Sequence, residues 1–494
     1  MRVLGLYNGH DASAAVVENG EVVIALEEER LTGIKKQAGF PARSLMYICK
    51  SLGYNPWEFD EVRIATPNLH SGRSHAVDSR SVFEIYPNAV LVPHHEAHAA
   101  LAYCWSGWDE CTVMTLDGGG DKYFGSINYC KDGKMERIYS LDKDANEAFG
   151  MFYYYVTEYL GYTPNRHEGK VMGLAARGRD LGIFDGLFWV DGPMIRAKGK
   201  RSEMIVFERL KKHFPTGPQS NQDTYNIAAS CQAHFEKVLM EWVFTNMKGD
   251  HLAVAGGCFA NVLVNMKIAQ KIKNYYVAPP MLDDGLAIGA ALTAFNPLPV
   301  KRQKTMYLGI GDFARKENRY SPSDVAKMVK TGLIVGLYQG MMEMGPRALG
   351  NRTILADPRD VRINEILNKR LNRSDFMPFA PVILEEYANE ILEDYEVGKD
   401  NAPYMTSCWK VKEEWKTKIP AVVHIDGTLR PQVIKREHNP YYYDIVDEFR
   451  KLTGIPVLIN TSFNAHEDPI VCFNTEADYA KATGKIDVLV EGPK

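Results

Sequence analysis

Residues 251–261 read HLAVAGGCFAN, which is an apolar strand, a turn with two adjacent glycines and the start of a helix. A strand that enters a helix through a glycine turn is a common unit of α/β proteins. The same order of strand and glycine turn recurs at about residues 1–20 and 110–125. This recurrence predicts an α/β fold of two related halves.

Length and composition narrow the class of protein. The 494 residues are too many for one core, so two or three domains are expected. Hydrophobic residues make up 45% and charged residues 24%, as in ordinary globular proteins. The net charge of −4 argues against a globally basic nucleic-acid-binding surface. The eight cysteines form no CxxC pair, which disfavours a four-thiolate zinc site and fits a reducing compartment.

The hydropathy pattern does not indicate a targeting or membrane segment. The N-terminus turns polar after seven residues, which is too early for a signal peptide. The most apolar long stretch, 277–296, carries Asp283 and Asp284 in its middle. We therefore expect a cytoplasmic protein without a membrane span.

A change of composition at residues 296–320 predicts a domain boundary. This segment contains Pro297, Pro299 and a short basic cluster but few apolar pairs. We place one domain at 1–305 and a second at 306–494. Four apolar runs of the second domain are predicted as strands: 332–340, 378–384, 419–426 and 455–460.

Two histidines precede an acidic glycine turn. His94 and His98 are four residues apart in PHHEAHAALAY, so a helix places both imidazoles on one face. Asp117 opens the turn Asp117-Gly118-Gly119-Gly120-Asp121, whose glycines allow backbone N–H groups to approach a phosphate. The pair suits a shared metal ion with Asp117 as a third ligand, and a buried structural histidine pair is the alternative.

Three further turns carry polar or small residues next to predicted strands. His10 and Asp11 lie at a strand-to-strand tip, where they suit a base and a ligand contact or simple turn chemistry. Gly256 and Gly257 precede a helix and suit a nucleotide cradle, although a lone glycine pair is weak evidence. The loop NTSFN, 460–464, follows an apolar strand, at a position where α/β folds often bind ligands.

Arginines cluster in residues 342–359. Arg347, Arg352 and Arg359 lie within thirteen residues among glycines and prolines, and Arg430 stands in HIDGTLRPQ. Guanidinium groups bind phosphate and carboxylate groups bidentately. The clustering with rigid turn residues favours an anion site over surface salt bridges.

Taken together, these motifs resemble the O-carbamoyltransferase family, which includes nodulation-factor and antibiotic-tailoring carbamoyltransferases. The matching blocks are NGHDASAA, HHEAHAA, LDGGGD, HEGKVMGLA, GGCFAN, DDGLAIGAA, GPRALGNRTILADPR, PFAPVI, DGTLRPQ and GIPVLINTSFN. One such block is weak evidence, but ten blocks in order along nearly the whole chain are highly specific.

The resemblance implies an enzyme of two parts. The N-terminal part is similar to the actin/sugar-kinase fold of the tRNA threonylcarbamoyl transferases, and the C-terminal α/β part is similar to the threonylcarbamoyl-AMP synthases. In such enzymes the C-terminal part makes carbamoyl-adenylate from carbamoyl phosphate and ATP, and the N-terminal part transfers the carbamoyl group to an acceptor hydroxyl. The implied co-substrates and cofactors are carbamoyl phosphate, ATP with Mg²⁺, and a further divalent metal, which is iron in characterised relatives.

The resemblance also implies roles for individual residues. The expected metal ligands are His94, His98, Asp117 and Asp283. The expected catalytic residues are His10, which would accept the proton of the acceptor hydroxyl, and Lys170, Arg347 and Arg430. The expected nucleotide or substrate contacts are Asp11, Gly118, Gly119, Glu168, Gly256, Gly257, Asn261, Arg352, Ser462 and Asn464.

Two features depart from the family pattern. Met377 stands where members commonly have an arginine before PFAP, and Arg373 is a nearby substitute. Region 176–225 is shorter than in many members and is expected to build the acceptor pocket. The acceptor is expected to be a small-molecule alcohol or the 5-hydroxymethyl group of cytosine in DNA, and a homodimer is a further expectation.

Two other functions compete with carbamoyl transfer at this point. The first is a kinase or ATPase of the sugar-kinase fold, which does not account for the GPRALGNR and NTSFN blocks. The second is a nucleotide-binding subunit for tRNA modification, which would bind nucleotide without depending on carbamoyl phosphate.

Overall fold

The computed structural model describes residues 1–66, 80–142, 149–199, 202–311, 320–373 and 377–493. The first half of the N-terminal part is built on one five-stranded sheet and its helices. These elements are β1 (Arg2–Tyr7), β2 (Ser13–Glu18), β3 (Glu21–Glu27), α1 (Glu28–Thr32), α2 (Ala42–Leu52), β4 (Glu61–Ala65), α3 (Arg80–Ile85), β5 (Val90–Val92) and α4 (His94–Ser106). The strand order is β3-β2-β1-β4-β5.

The second half is built on another five-stranded sheet. Its elements are β6 (Glu110–Gly120), β7 (Tyr123–Lys131), β8 (Lys134–Asp142), α5 (Phe152–Tyr159), α6 (Glu168–Leu174), β9 (Phe188–Asp191), β10 (Met194–Ala197), α7 (Ser202–His213), α8 (Asn221–Asn246), β11 (His251–Ala255), α9 (Val262–Ala269), β12 (Asn274–Val277) and α10 (Leu286–Leu292). Its strand order is β8-β7-β6-β11-β12, and β9 and β10 form a separate hairpin.

The two sheets have the same topology. In each, three strands form an antiparallel meander, and two later strands extend the sheet in parallel from the first strand of that meander. Parallel neighbours need a long crossover, which the intervening helices provide. The predicted duplication of the N-terminal part is therefore confirmed, with the actin/sugar-kinase-like fold class.

Close packing around α10 joins the two halves. A Cβ atom at Gly5 of β1 would lie 1.9 Å from the Ala287 carbonyl oxygen of α10. A Cβ atom at Gly289 of α10 would lie 2.0 Å from the Ala97 carbonyl oxygen of α4. Only glycine permits these approaches. They hold the start of α10 beside the first turns of α4, where the candidate metal ligands lie.

The C-terminal part contains a six-stranded mixed sheet. The elements are α11 (Pro322–Lys330), β13 (Val335–Tyr338), β14 (Arg352–Ala356), α12 (Ile363–Arg370), β15 (Pro381–Leu384), α13 (Glu385–Ile391), β16 (Trp409–Lys410), α14 (Glu413–Lys416), β17 (Thr428–Leu429), β18 (Gln432–Ile434), α15 (Pro440–Thr453), β19 (Val457–Ser462), α16 (Asn474–Ala482) and β20 (Val488–Glu491). The strand order is β18-β15-β19-β14-β13-β20. Helices α11 and α15 pack together over a large apolar core.

One strand prediction in this part is wrong. The apolar run 419–426 contains a short 3₁₀ helix at Pro420–Val422 instead of a strand. Proline has no backbone N–H to donate to a ladder, and the Ala421 N–H bonds the Pro358 carbonyl oxygen. Among the described residues, no helix combines the length and apolarity needed to cross a bilayer.

Candidate metal centre and anion sites

Four side chains from three segments converge beside the second sheet. His94 and His98 project from the first two turns of α4, Asp117 lies in β6, and Asp283 lies in a 3₁₀ turn before α10. His94 Nε2 is 2.8 Å from Asp117 Oδ2, and His98 Nε2 is 3.5 Å from Asp283 Oδ1. One donor atom from each residue lies within 4.8 Å of the others. The structure thus brings together all four residues that the sequence suggested as ligands.

The chemistry of this cluster fits a divalent metal ion. All four side chains are buried, and neither ring nitrogen of His98 has a hydrogen-bond partner among the described residues. Buried polar atoms without partners are rare in folded proteins, and a metal ion would provide a partner for the His98 ring. Burial lowers the pKa of His94, but Asp283 and Asp117 outweigh it and raise that pKa to about 9. Imidazole and carboxylate donors together suit Fe²⁺, Mn²⁺ and Zn²⁺.

His95 lies outside this cluster. Its Nδ1 pairs with Thr115 Oγ1 at 2.9 Å, and its Nε2 lies 3.3 Å from the Tyr123 carbonyl oxygen. Burial lowers the pKa of His95 to about 3, so the ring is neutral. The histidine between the two candidate ligands therefore fixes α4 onto the sheet.

His10 reaches the edge of the metal cluster from the β1–β2 tip. Its Nδ1 lies 2.9 Å from Asp11 Oδ2, and its Nε2 lies 3.3 Å from Asp283 Oδ2. Lys36 Nζ donates to the same oxygen of Asp11 at 3.1 Å, and Tyr7 Oη donates to Asp283 Oδ2 at 2.7 Å. The His10 side chain is 48% exposed, whereas the candidate ligands are buried. It is thus open to an incoming acceptor.

This arrangement changes the role expected for Asp11. Its carboxylate is engaged by His10 and Lys36, and these partners outweigh burial and lower its pKa to about 2. A carboxylate held in this way orients the His10 imidazole. Lys36 and Tyr7 were missed in the sequence because they carry no motif and contact the site only through the fold.

Two of the glycines in the predicted phosphate-binding turns instead support the metal ligands or the packing around them. The Gly119 N–H donates to Asp117 Oδ1 at 2.6 Å, so it orients that ligand and is not available to a nucleotide. Gly256 has φ 100°, and a Cβ atom there would lie 2.4 Å from the Leu116 carbonyl oxygen. By contrast, a Cβ atom at Gly257 would lie nearest to a side-chain atom of Leu282, and a Cβ atom at Gly118 nearest to a side-chain atom of Met151. Close backbone packing therefore does not explain glycine at these two positions, and both remain candidate contacts for the nucleotide.

Asn261 does not fit its expected contact with adenosine. Its Oδ1 caps α9 by accepting the Val264 N–H at 3.1 Å. Its Nδ2 donates to Gln232 Oε1 at 2.9 Å, and Gln232 Nε2 donates back at 3.1 Å. With both ends of the amide satisfied and the residue buried, Asn261 stabilises the start of α9.

The HEGK segment faces the C-terminal part. Glu168 Oε1 accepts the Asn165 N–H at 2.6 Å, and burial raises the pKa of the Glu168 carboxyl. Lys170 Nζ lies 3.4 Å from His466 Nε2, in the loop that follows β19. The two residues therefore lie where the two parts of the chain meet.

Arg347 and Arg430 form a pair of unneutralised cations. The charge of Arg430 and burial both lower the pKa of Arg347, so the two guanidinium groups interact electrostatically. Neither has an ion-pair or hydrogen-bond partner among the described residues, and Arg430 Nε is buried without a partner. Two neighbouring guanidinium groups without a salt-bridge partner suit the binding of an anion.

Arg352, from the same motif, has a structural role instead of the expected ligand contact. It is fully buried, and its two terminal nitrogens donate to backbone carbonyl oxygens, including Gln339 at 2.6 Å and Ile310 at 3.2 Å. Its guanidinium carbon also lies 3.8 Å from the centre of the Tyr338 ring. The cation is thus enclosed by the fold and cannot reach a substrate.

We expect Arg352→Met to lower the free energy of unfolding by about 3 kcal/mol, because several buried carbonyl oxygens lose their donor. Urea unfolding followed by tryptophan fluorescence measures the change. Arg359→Met is the control, since Arg359 pairs with Asp357 at the surface and should change stability by at most about 0.5 kcal/mol. Unchanged stability in the Arg352 variant would contradict the structural role.

A second polar cluster follows β19. Arg373 donates to Thr461 Oγ1 at 3.1 Å, to Ser462 Oγ at 3.2 Å and to Asn464 Oδ1 at 3.3 Å. Ser462 and Asn464, two expected substrate contacts, therefore both bind Arg373. Arg373 is the residue suggested to replace the arginine that family members commonly have before PFAP. Met377 contacts the N-terminal part, since a Cβ atom at Gly173 would lie 1.8 Å from its sulfur.

Comparison with known proteins identifies the family. The carbamoyltransferase N-terminus profile matches residues 2–75 and 74–292, and the carbamoyltransferase C-terminus profile matches residues 326–493. The chain belongs to the carbamoyltransferase family. This membership makes the protein a carbamoyltransferase enzyme, and it favours carbamoyl transfer over the kinase and tRNA-modification interpretations.

Relatives cover nearly the whole chain. An uncharacterized protein of Methanocaldococcus jannaschii is 31% identical over 99% of this chain and 98% of its own length. Nodulation protein NolNO of Sinorhizobium fredii is 31% identical over 98% of this chain and 78% of its own length. Component A of the Acidaminococcus fermentans (R)-2-hydroxyglutaryl-CoA dehydratase has 14% identity and a TM-score of 0.39, covering 59% of this chain and 97% of that chain.

Proposed function

We propose that this carbamoyltransferase works in two steps at two sites. In the C-terminal part, 306–494, water splits carbamoyl phosphate into carbamate and inorganic phosphate. A carbamate oxygen then attacks the α-phosphorus of ATP, and pyrophosphate leaves. In the N-terminal part, 1–305, an acceptor hydroxyl oxygen attacks the carbamoyl carbon of the resulting carbamoyl-adenylate, and AMP leaves.

The Arg347–Arg430 pair is the observation that carries the first step. The charge of Arg430 lowers the pKa of Arg347, and Asp284 offsets that repulsion only in part. Neither cation has a salt-bridge partner among the described residues, so the chain retains the pair at a cost to stability. A dianionic phosphate removes that repulsion and matches two guanidinium forks. We propose Ser462, Asn464 and Arg373 as the neighbouring polar contacts of the same substrates.

The metal cluster and His10 support the second step. His94, His98, Asp117 and Asp283 would hold a divalent ion, with Fe²⁺ the favoured candidate, and it would supply Lewis-acid polarisation and a template for phosphate oxygens. The Asp11 carboxylate keeps a proton on His10 Nδ1, which leaves Nε2 to accept the proton of the acceptor hydroxyl. Mg²⁺ would accompany ATP in the first step.

The acceptor is an alcohol. A small-molecule hydroxyl is the first candidate, as in the nodulation-factor and antibiotic-tailoring carbamoyltransferases that the sequence motifs resemble. The 5-hydroxymethyl group of cytosine in DNA is the second, and the acidic net charge of −4 weighs against it. A panel of both kinds of acceptor, scored by the mass gain of one carbamoyl group, distinguishes them.

The first step predicts exchange of labelled pyrophosphate into ATP only when carbamoyl phosphate is present. Adenylate formation is reversible, so labelled pyrophosphate returns to ATP. The products should be AMP and pyrophosphate, whereas a kinase would release ADP. Exchange that does not depend on carbamoyl phosphate, or release of ADP, would contradict the proposed function.

A further inference from the structure

Glu467 has a backbone conformation that glycine normally occupies. Its φ is 65°, in the left-handed region, where a residue with a Cβ atom costs about 1–2 kcal/mol. The residue lies in the loop that follows Ser462 and Asn464. Backbone strain of this kind persists only where the surroundings impose it, and it concentrates at functional sites.

The Glu467 carboxylate bonds to the opposite part of the chain. Its Oε2 accepts from Arg166 Nη1 at 2.9 Å, and its Oε1 lies 2.9 Å from His167 Nε2. Arg166 also donates to the Lys35 carbonyl oxygen at 3.3 Å. One carboxylate therefore connects the C-terminal part with both halves of the N-terminal part.

Folding stability does not explain these contacts. The Glu467 side chain is 38% exposed, and an exposed ion pair contributes about 0–1 kcal/mol. The bonds to Arg166 and His167 together about offset the cost of the left-handed backbone. Their net contribution to folding stability is therefore close to zero.

A metal ion does not explain them either, although His167, His466 and Glu467 place donor atoms within 4.8 Å of one another. His167 Nδ1 accepts the Thr163 N–H at 3.0 Å, so the proton of the neutral ring is on Nε2 and points to Glu467. A histidine that binds a metal through Nε2 has the opposite tautomer, with Nδ1 as donor. The arrangement is a hydrogen-bonded contact.

Glu467 joins the α6 segment, which carries two expected site residues, to the loop that follows Ser462 and Asn464. His167 directly precedes α6, which carries Glu168 and Lys170, and its ring stacks on His466 with centroids 5.9 Å apart and planes at 10°. Resting on the two-site function above, we propose that Glu467 is a positioning residue. It seats the α6 segment on the loop after β19, so that carbamoyl-adenylate passes between the sites without meeting water.

Loss of this contact opens a defined side reaction. Water attacks the carbamoyl carbon, the bond from that carbon to the AMP oxygen breaks, and the products are carbamate and AMP. Mixed anhydrides of this kind hydrolyse readily, so enclosure matters. The side reaction releases AMP without any acceptor.

The test compares Glu467→Gly with Glu467→Gln in the full-length protein. Glycine removes the side chain and the backbone strain together, so the melting temperature should not fall. We expect carbamoyl-phosphate-dependent pyrophosphate exchange within twofold of wild type in both variants. AMP release without acceptor should rise at least about tenfold in the glycine variant and less in the glutamine variant.

Asp394→Gly is the matched control, because Asp394 is exposed and also has a left-handed backbone, at φ 48°. It should leave AMP release unchanged. Equal AMP release in wild type and both Glu467 variants would overturn the positioning role, and so would a parallel fall of exchange and AMP release. Absence of exchange in the wild-type protein would instead count against the two-site function.

Discussion

Replacing His98 with alanine should lower carbamoyl transfer at least about 100-fold while leaving carbamoyl-phosphate-dependent pyrophosphate exchange unchanged. His98 is fully buried, and both of its ring nitrogens lack a hydrogen-bond partner among the described residues, so alanine costs little beyond a small cavity. Loss of a metal ligand should weaken metal binding strongly, since replacing even the residues that support metal ligands changes metal affinity 10–100-fold. Metal content of the purified protein should fall in parallel.

Three measurements check this expectation: elemental analysis of the bound metal, carbamoyl-phosphate-dependent exchange of pyrophosphate into ATP, and carbamoylation of the acceptor panel. His213→Ala is the control, because His213 is an exposed residue at the end of α7. It should match wild type in all three. If His98→Ala keeps its metal and its transfer activity, the cluster is not the metal centre. If exchange falls as far as transfer, the two steps do not occupy separate sites.

Local sequence signals, such as turn dipeptides and helical spacing, made much of the fold predictable. The dipeptide Asn19-Gly20 is a strong hairpin signal and accounts for the turn between β2 and β3, and the recurring glycine turns predicted the duplication. The spacing of His94 and His98 placed them on one helix face, and α4 begins at His94. The run 419–426 failed because apolarity alone does not distinguish a strand from another buried segment.

Residues that act across the fold were harder to predict. Arg347 and Arg352 lie in the same sequence motif, and both were predicted to bind an anion. In the structure the Arg352 side chain, at the start of β14, is buried in the core, whereas Arg347 interacts electrostatically with Arg430. Their directions depend on strand register, which the motif does not contain. Lys36 and Glu467 reach their partners only through tertiary packing, since Glu467 and His167 are 300 residues apart in sequence.

Arg347→Met should make the protein more stable and inactive at once. Removing one of two repelling cations should raise the free energy of unfolding by about 0.5–2 kcal/mol, because binding sites are often built against stability. The same change removes half of the proposed phosphate receptor. We expect exchange dependent on carbamoyl phosphate to fall at least about 100-fold, corresponding to about 2.7 kcal/mol.

Thermal unfolding with and without inorganic phosphate or pyrophosphate separates the two effects. An anion that binds the native state raises the melting temperature of the wild-type protein, and the rise grows with the logarithm of the anion concentration above its Kd. Arg347→Met should start from a higher melting temperature and gain little from either anion. The control Arg359→Met lies in the same motif but pairs with Asp357, so it should respond to both anions as wild type does. If Arg347→Met lowers stability or keeps the full anion response, Arg347 supports the fold and the phosphate receptor lies elsewhere.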